Sequence, residues 1–509
     1  MFTLYALGII VLFVTLAIWF KFSNKSRISK WMPILVGLAA IYYGSNVLWV
    51  LPFPIDKKLL FIFRDLIIIL LSVGIVVSFK KNKVLFFGLL ALGIILFKLF
   101  YFPMINKPFA GNDPNLSDAY EIIIETKDDA MPIWLQPLQE KYGLTVDRLS
   151  TPQDFDATEL DNFFLIGIPD KNEFLIERIE DKLEDFSEIL WIERNEVVRV
   201  EDPLGTLKKH DNTRYGVNDP EVRYQWGLDK LKMDEYYTLL RTSKIKPQRP
   251  ARVFVLDTGV DATHEDLQLN YKSHSTKYDT DGSGHGTHCA GVIGAVTNNG
   301  LGIASMALNP GMIEISGIKV LGSNGAGTQA GIIRGIIEAV DGGADVISMS
   351  LGGRSSQTKQ RTYNEAFQYA TEHGVIVVVA AGNNGGDARN ISPANTEGVI
   401  TVTAVNEDLN RAPFSNHITN IERGIAAPGT NIYSTLPGDK YTSMNGTSMA
   451  APRVSALAGI LKSYYPELTY EEFYEIIHDT GMETGDNSKT GRLIQPEKAL
   501  KKLMSGYLK

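Results

Sequence analysis

Four short runs rich in β-branched residues, 253–256, 346–350, 375–379 and 399–405, recur between helical segments in the second half of this 509-residue chain. Runs of this length with little polar alternation are buried on both faces, and their spacing by helices predicts an α/β fold around a mainly parallel sheet. In open sheets of this kind reactive groups collect beyond the carboxyl ends of the strands. The polar residues that close the runs are therefore where chemistry is sought.

Three such places carry distinctive local sequence. Val253-Phe-Val-Leu-Asp-Thr-Gly-Val-Asp261 ends a buried strand on Asp257, which can act as a buried orienting carboxylate or as a turn or cap residue. Asp281-Gly-Ser-Gly-His-Gly-Thr-His-Cys-Ala-Gly291 runs a flexible loop into a small-residue helix that begins at His285. His288 lies on the same helical side, so a metal pair is conceivable, although the glutamate of the zincin pattern is absent. Tyr441-Thr-Ser-Met-Asn-Gly-Thr-Ser-Met-Ala-Ala-Pro452 places Ser448 at a helix start, either as an N-cap or as a nucleophile beside an oxyanion-stabilising helix terminus.

Together, the order Asp, His, Ser and these contexts resemble the subtilisin family of serine peptidases, especially its thermitase-like members. The resemblance covers residues 217–500 and extends to Val-Thr-Asn-Asn-Gly-Leu-Gly-Ile at 296–303, Ser350-Leu-Gly-Gly, Ala380-Ala-Gly-Asn383 and Ala426-Ala-Pro-Gly. It implies a three-layer α/β/α domain in which Ser448 attacks the scissile carbonyl, His285 moves the proton and Asp257 orients the imidazole. Asn383 is implied as an oxyanion donor. Ser350, Leu351, Gly352, Ala380, Ala381 and Gly382 are implied to hold extended protein or peptide substrates as a strand. The resemblance also implies a structural calcium ion on Asp219, Asp266 and Asn299 with the carbonyls of Val296, Leu301 and Ile303, and no catalytic cofactor. Ala307-Leu-Asn309 and Arg453 depart from the family pattern, at positions outside the triad.

The N-terminal fifth is of another character. Four apolar stretches, roughly 2–20, 32–52, 59–79 and 84–102, each approach the ~20 residues needed to cross a bilayer as helix. Lys21, Lys25, Arg27 and Lys30 after the first, with Lys80, Lys81 and Lys83 after the third, predict cytoplasmic loops there and place everything beyond residue 102 outside the cytoplasm. The first stretch lacks the preceding positive charge and the following cleavage site of a signal peptide. Arg64 and Asp65 near the start of the third read as a snorkelling pair rather than an ion path.

Residues 118–202 carry 23 acidic and 8 basic side chains, whereas the net charge of the whole chain is only −8. Strand-like segments at 120–125 and 163–168, helices at 132–142 and 175–183, and an extended return at 189–200 predict a small α+β, ferredoxin-like unit. Its position resembles the family's inhibitory propeptide, an intramolecular partner that occupies the cleft. The expected organisation is a four-helix membrane region (1–105), a linker (106–117), the propeptide-like unit (118–202), a processing junction (203–217) and the peptidase domain (218–504). A multi-pass membrane zymogen with its catalytic domain on the extracytoplasmic side follows, partnered by the lipid bilayer and not by nucleic acid.

Two rival readings are weaker. A catalytically silent binding module would gain nothing from a complete triad with Asn383, and a sensor or transporter would need more intramembrane polar groups than Arg64 and Asp65. The single cysteine, Cys289, excludes an intrachain disulfide and reads as a buried, inert side chain beneath His285.

Overall fold

A computed structural model describes residues 120–154, 157–169, 173–200, 202–211, 213–354 and 361–507, together with positions 12, 14–16, 36, 38 and 39. The chain divides into two compact units, Met1–Gly111 and Asn112–Lys509, with the division inside the predicted linker. The predicted membrane spans lie almost wholly outside the described residues. Among the described residues no helix is long and apolar enough to cross a membrane.

The second unit begins with β1 (Ile122–Thr126), α1 (Gln136–Tyr142), β2 (Thr145–Arg148), β3 (Phe163–Gly167), α2 (Glu173–Leu183) and β4 (Ile189–Arg194). The four strands form one antiparallel sheet in the order β2-β3-β1-β4, the ferredoxin-like arrangement expected from sequence. Period-two alternation gives each strand two faces. Ile122, Ile124, Phe164 and Ile166 pack with Leu138, Ile179 and Leu183 into the unit's own core. Ile123, Phe163 and Leu165 face the other way and join a core shared with the larger domain.

Strand β2 was missed in the sequence because Thr145–Arg148 alternates half-buried with exposed residues at the sheet edge and contains no apolar run. The extended return at 189–200 is in fact two strands. After β4 the chain leaves the small sheet as β5 (Val197–Arg199), which pairs with the larger domain.

That domain contains, in chain order, α3 (Met233–Thr242), β6 (Ala251–Asp257), α4 (His285–Gly294), β7 (Ile313–Lys319), β8 (Ala326–Thr328), α5 (Gln329–Asp341), β9 (Val346–Met349), β10 (Gly353–Arg354), α6 (Arg361–Glu372), β11 (Ile376–Ala380), β12 (Ile391–Ser392), β13 (Val399–Val405), β14 (Gly424–Pro428), β15 (Ile432–Leu436), β16 (Lys440–Met444), α7 (Thr447–Tyr464), α8 (Tyr470–Thr480) and α9 (Pro496–Gly506). Six strands form a wholly parallel sheet in the order β14-β13-β11-β9-β6-β7. Four of the six are the runs read from sequence. β7 escaped notice because Glu314, Gly317 and Lys319 interrupt its apolar pattern, and β14 because it is only Gly-Ile-Ala-Ala-Pro.

Val253 and Val255 belong to the core on one sheet face, with α4 and α7, whereas Phe254 and Leu256 belong to the core on the other, with α5 and α6. The result is the three-layer arrangement expected. All 18 residues of α7 are buried, which explains its small side chains: alanine, glycine and serine let it lie close against the sheet.

The small unit sits on α5 and α6 through more than apolar contact. Glu193 Oε1 accepts hydrogen bonds from Gln329 Nε2 (2.8 Å) at the start of α5 and from Thr362 Oγ1 at the start of α6. A carboxylate there also meets the positive ends of two helices. Glu125, whose side chain is 1% exposed, pairs with Arg361 (2.7 Å). Burial pushes the Glu125 carboxyl up to about 7; Arg361 opposes this, and Glu159, Glu365 and Glu193 add to it. Between the ordinary carboxyl range and about 7 the folded chain thus holds a proton that the unfolded chain has released. Stability falls as pH rises through that window and levels off above it. Glu125→Gln is expected to raise stability at pH 8 by on the order of 1–3 kcal/mol and to flatten the profile between pH 5 and 7, read by thermal unfolding across pH.

Candidate active site

The parallel sheet delivers Asp257 as the last residue of β6, fully buried. Its Oδ1 accepts from its neighbour Thr258 N (2.7 Å) and lies 2.7 Å from His285 Nδ1. His285 opens α4, and the turn before it is built around Asp281. Asp281 Oδ1 accepts from Ser283 N (2.9 Å), Gly284 N (2.8 Å) and Thr258 Oγ1 (2.8 Å), and its Oδ2 from Thr287 N (2.9 Å) and Oγ1 (2.8 Å). This network fixes the helix start and hence the imidazole. Gly286 is needed for close approach, because a Cβ there would lie 2.1 Å from Gly259 O and 3.1 Å from Asp257 Cβ.

Ser448 is the second residue of α7, 3% exposed. Its Oγ is 3.4 Å from Ser350 O, and Ser350 Oγ in turn donates to Ser448 O at 2.8 Å. The hydrogen bond of His285 Nε2 is to Asp202 Oδ2 at 2.8 Å. Asp202 Oδ1 accepts from Asn383 Nδ2 at 2.7 Å. Asn383 is oriented by Thr447, whose N and Oγ1 both donate to Asn383 Oδ1 at 2.9 Å. Its amide nitrogen is thereby turned into the cleft. The four residues singled out in sequence, Asp257, His285, Ser448 and Asn383, are brought to one place.

Burial opposes charge on His285, but Asp257, Cys289 and Asp202 together outweigh it and hold the imidazole well above its ordinary value. His288 is the reverse case. Burial, reinforced by His285, pushes it down to about 3, and its Nε2 faces Ile432 O (3.0 Å) and Thr442 O (3.3 Å). It ties α4 to the β15–β16 hairpin as a neutral donor, which removes the metal pair considered from sequence. Asp257, His285 and Cys289 do bring three ligand-type atoms within 4.8 Å of one another. Burial raises the Cys289 thiol to about 12, however, so at neutral pH it is protonated and a poor ligand.

The cleft is a cavity of about 360 Å³ whose lining includes Ser350, Leu351, Gly352, Ala380, Gly382 and Asn383. Five of the six residues expected to hold substrate are thus on its wall. Ala381 is the exception: it is fully buried, its N donates to Val402 O (3.0 Å) and its carbonyl accepts from Asn416 Nδ2 (2.9 Å). Alternation past the end of β11 turns it toward the core.

The chain's own residues 197–200 and 202–205 run along this cleft. β5 pairs antiparallel with β8, Arg199 bridges Gly352, and Val200 N donates to Gly325 O (3.0 Å). Beyond His285, Asn445 N donates to Pro203 O (2.9 Å), Leu204 bridges Met444, and Gly205 N donates to Ser443 O (2.7 Å).

Residues 250–495 match the Subtilase family, Peptidase S8. Subtilisin DY of Bacillus licheniformis is 39% identical over 273 residues, which are 51% of this chain and 96% of that protein. The chain belongs to the subtilase family. Thermitase of Thermoactinomyces vulgaris is 38% identical over 255 residues (49% of this chain, 86% of that protein). Thermostable alkaline protease of Halalkalibacterium halodurans is 35% identical over 319 residues (61% and 83%). This subtilase is accordingly a serine peptidase with a subtilisin-like α/β fold.

Among the expected calcium ligands, Asp219 and Asp266 are 2% and 0% exposed. Asp219 accepts from Asn298 N (3.0 Å) and Asn299 N (3.2 Å), while Asp266 accepts from Asn299 Nδ2 (2.8 Å) and Ile303 N (2.9 Å). Val296 N donates to Asp266 O (2.8 Å), and Leu301 N to Asn299 Oδ1 (2.8 Å). Burial raises the Asp266 carboxyl to about 7, with Asp219 adding to the rise, and burial raises Asp219 as well. Asp219 and Asp266 are two buried carboxylates, oxygen donors of the type a hard divalent cation takes.

Sequence reasoning missed Asp202, Asp281 and Thr447 as parts of the site. Asp281 and Thr447 stand inside the motifs quoted, whereas nothing local distinguishes Asp202 from the other acids of its unit. Arg453 is 5% exposed, and burial lowers its guanidinium to about 10, with Tyr237 opposing. Cys289 is expected to resist alkylation: iodoacetamide should modify it only after denaturation, as followed by intact mass.

Proposed function

We propose that this subtilase is an endopeptidase made as a self-inhibited zymogen, with Asp257, His285 and Ser448 as its triad. The observation that carries the reading is the passage of residues 197–200 and 202–205 through a cleft lined by Ser350, Gly352 and Asn383, continuous with the ferredoxin-like unit on α5 and α6. A strand of the same chain lies where an extended substrate would be held by backbone hydrogen bonds.

In the mature enzyme Ser448 Oγ attacks the scissile carbonyl carbon while His285 Nε2 takes its proton. The imidazolium is stabilised by Asp257 across the 2.7 Å contact. The oxyanion receives hydrogen bonds from Asn383 Nδ2 and Ser448 N at the start of α7; a side-chain donor of this kind contributes about 10²–10³-fold in turnover. His285 then returns the proton to the leaving amine, and water, deprotonated by His285, hydrolyses the acyl-enzyme. Substrates are extended protein or peptide segments held along residues 350–352, Ala380 and Gly382.

Residues 118–202 act as inhibitory propeptide, 203–217 as junction and 218–504 as peptidase domain. The four apolar stretches within 1–105 tether the precursor to a membrane, with the catalytic domain on the extracytoplasmic side. Because the chain passes His285 between Val200 and Pro203, self-cleavage is expected within residues 200–203, where the propeptide meets the junction. N-terminal sequencing of the processed form should read from Glu201, Asp202 or Pro203, and Ser448→Ala should leave the chain uncut. Wild-type enzyme should take a fluorophosphonate label that the variant does not. A folded, processed wild-type protein that failed to label would sink the reading.

Calcium is held by Asp219, Asp266 and Asn299 with the carbonyls of Val296, Leu301 and Ile303, and supplies rigidity rather than chemistry. At free calcium near 100 times its Kd, linkage stabilises the folded state by about 2.7 kcal/mol. Chelation should lower the Tm of Ser448→Ala, and Asp266→Asn should abolish the difference between chelated and calcium-loaded samples.

A further inference from the structure

The cleft's hydrogen-bonding centre is filled by a side chain rather than by a peptide group. Asp202 places its carboxylate between His285 Nε2 (2.8 Å to Oδ2) and Asn383 Nδ2 (2.7 Å to Oδ1), one oxygen on each. Its side chain is only 2% exposed. The backbone on either side is pinned by Val200 N to Gly325 O and by Asn445 N to Pro203 O, so a side chain of one methylene reaches the centre. Gly446 makes room: a Cβ there would stand 2.0 Å from Asp202 Oδ1 and 3.4 Å from Asn383 Nδ2.

We propose that Asp202 is a built-in carboxylate ligand of the catalytic centre, which holds the uncut chain inactive by occupying His285 and Asn383 together. The inference rests on the triad reading and goes beyond the general idea of a strand in the cleft. A carboxylate suits the role for two reasons. Its carbon is a poor electrophile, since its negative charge is shared over both oxygens, so Ser448 does not acylate on it. Its anionic oxygen also satisfies the donor intended for an oxyanion, with the strength of a charge-assisted hydrogen bond.

While Nε2 is engaged by Asp202, it is not free to take the Ser448 proton, and Ser448 Oγ rests 3.4 Å from Ser350 O. Activation requires this one side chain to swing out, a smaller event than undocking the whole ferredoxin-like unit. The ligand class of the site is therefore a carboxylate on an extended strand.

The test compares full-length wild type, Asp202→Asn and Asp202→Ala by the rate at which a fluorophosphonate probe labels Ser448 in the uncut chain, resolved from processed forms by size. Each contact to a charged group is worth about 1.5–3 kcal/mol, so the intact Ala variant should label at least about tenfold faster than intact wild type, with Asn between. Thermal unfolding of the same samples identifies a variant that has lost its fold, in which case the isosteric Asn variant alone decides. Equal labelling of intact wild type and the folded variants, alongside normal labelling of processed enzyme, would overturn the latch and leave the peptidase reading standing. Failure of the processed wild type to label at Ser448 would overturn both.

Discussion

The contact on which the site depends is the 2.7 Å hydrogen bond between Asp257 and His285, two buried groups on different elements. A carboxylate taken out of water is costly unless paired and hydrogen-bonded. Here Oδ1 is held by Thr258 N and the imidazole while Oδ2 is buried without a hydrogen-bond partner, so the pair is stable only while β6 and α4 keep their register. That requirement propagates outward. Gly286 must stay small for α4 to approach the end of β6, and Asp281 must cap α4 so that His285 is its first residue. The buried α7, with Ala450, Ala451 and Gly459 among its small residues, sets Ser448 beside them.

The parallel sheet was legible because strands buried on both faces need continuous β-branched runs, and residues 253–256, 346–350, 375–379 and 399–405 have them. Edge elements were not, since β2 and β14 satisfy only one neighbour and tolerate polar, glycine or proline residues. Asp257, His285, Ser448 and Asn383 could be named because each stands in a local context with a chemical purpose. Ala381 lies off the cleft wall because a dipeptide's place in a motif does not say which of its residues faces the cleft. His288 looked like a possible ligand for the same reason, and only the β15–β16 hairpin, distant in sequence, shows where its ring is used.

Asp202 marks the limit of sequence reasoning in another way. Its meaning lies in register: β5 pairs with β8 and Leu204 with Met444, and the residue between them meets His285. Neither pairing can be inferred from composition, and the acidity of residues 118–202 conceals the one carboxylate that meets His285 among 23 acidic side chains. The surplus charge has different structural uses along the unit, since Glu193 meets two helix starts and Glu125 is buried against Arg361.

His285 thus stands between two carboxylates, Asp257 on Nδ1 and Asp202 on Nε2, at nearly equal distances. Both favour the protonated ring, Asp257 the more strongly. They differ in what holds them. Asp257 is the terminus of a strand with partners on both sides, β7 and β9, and its carbonyl accepts from Val320 N and Leu321 N. Asp202 is carried by a segment outside the parallel sheet, followed directly by the exposed residues Pro203 and Leu204. Local opening selects the element with the fewest buried contacts, so when one carboxylate leaves the imidazole it is Asp202. The group that remains is the one a proton-transferring histidine requires.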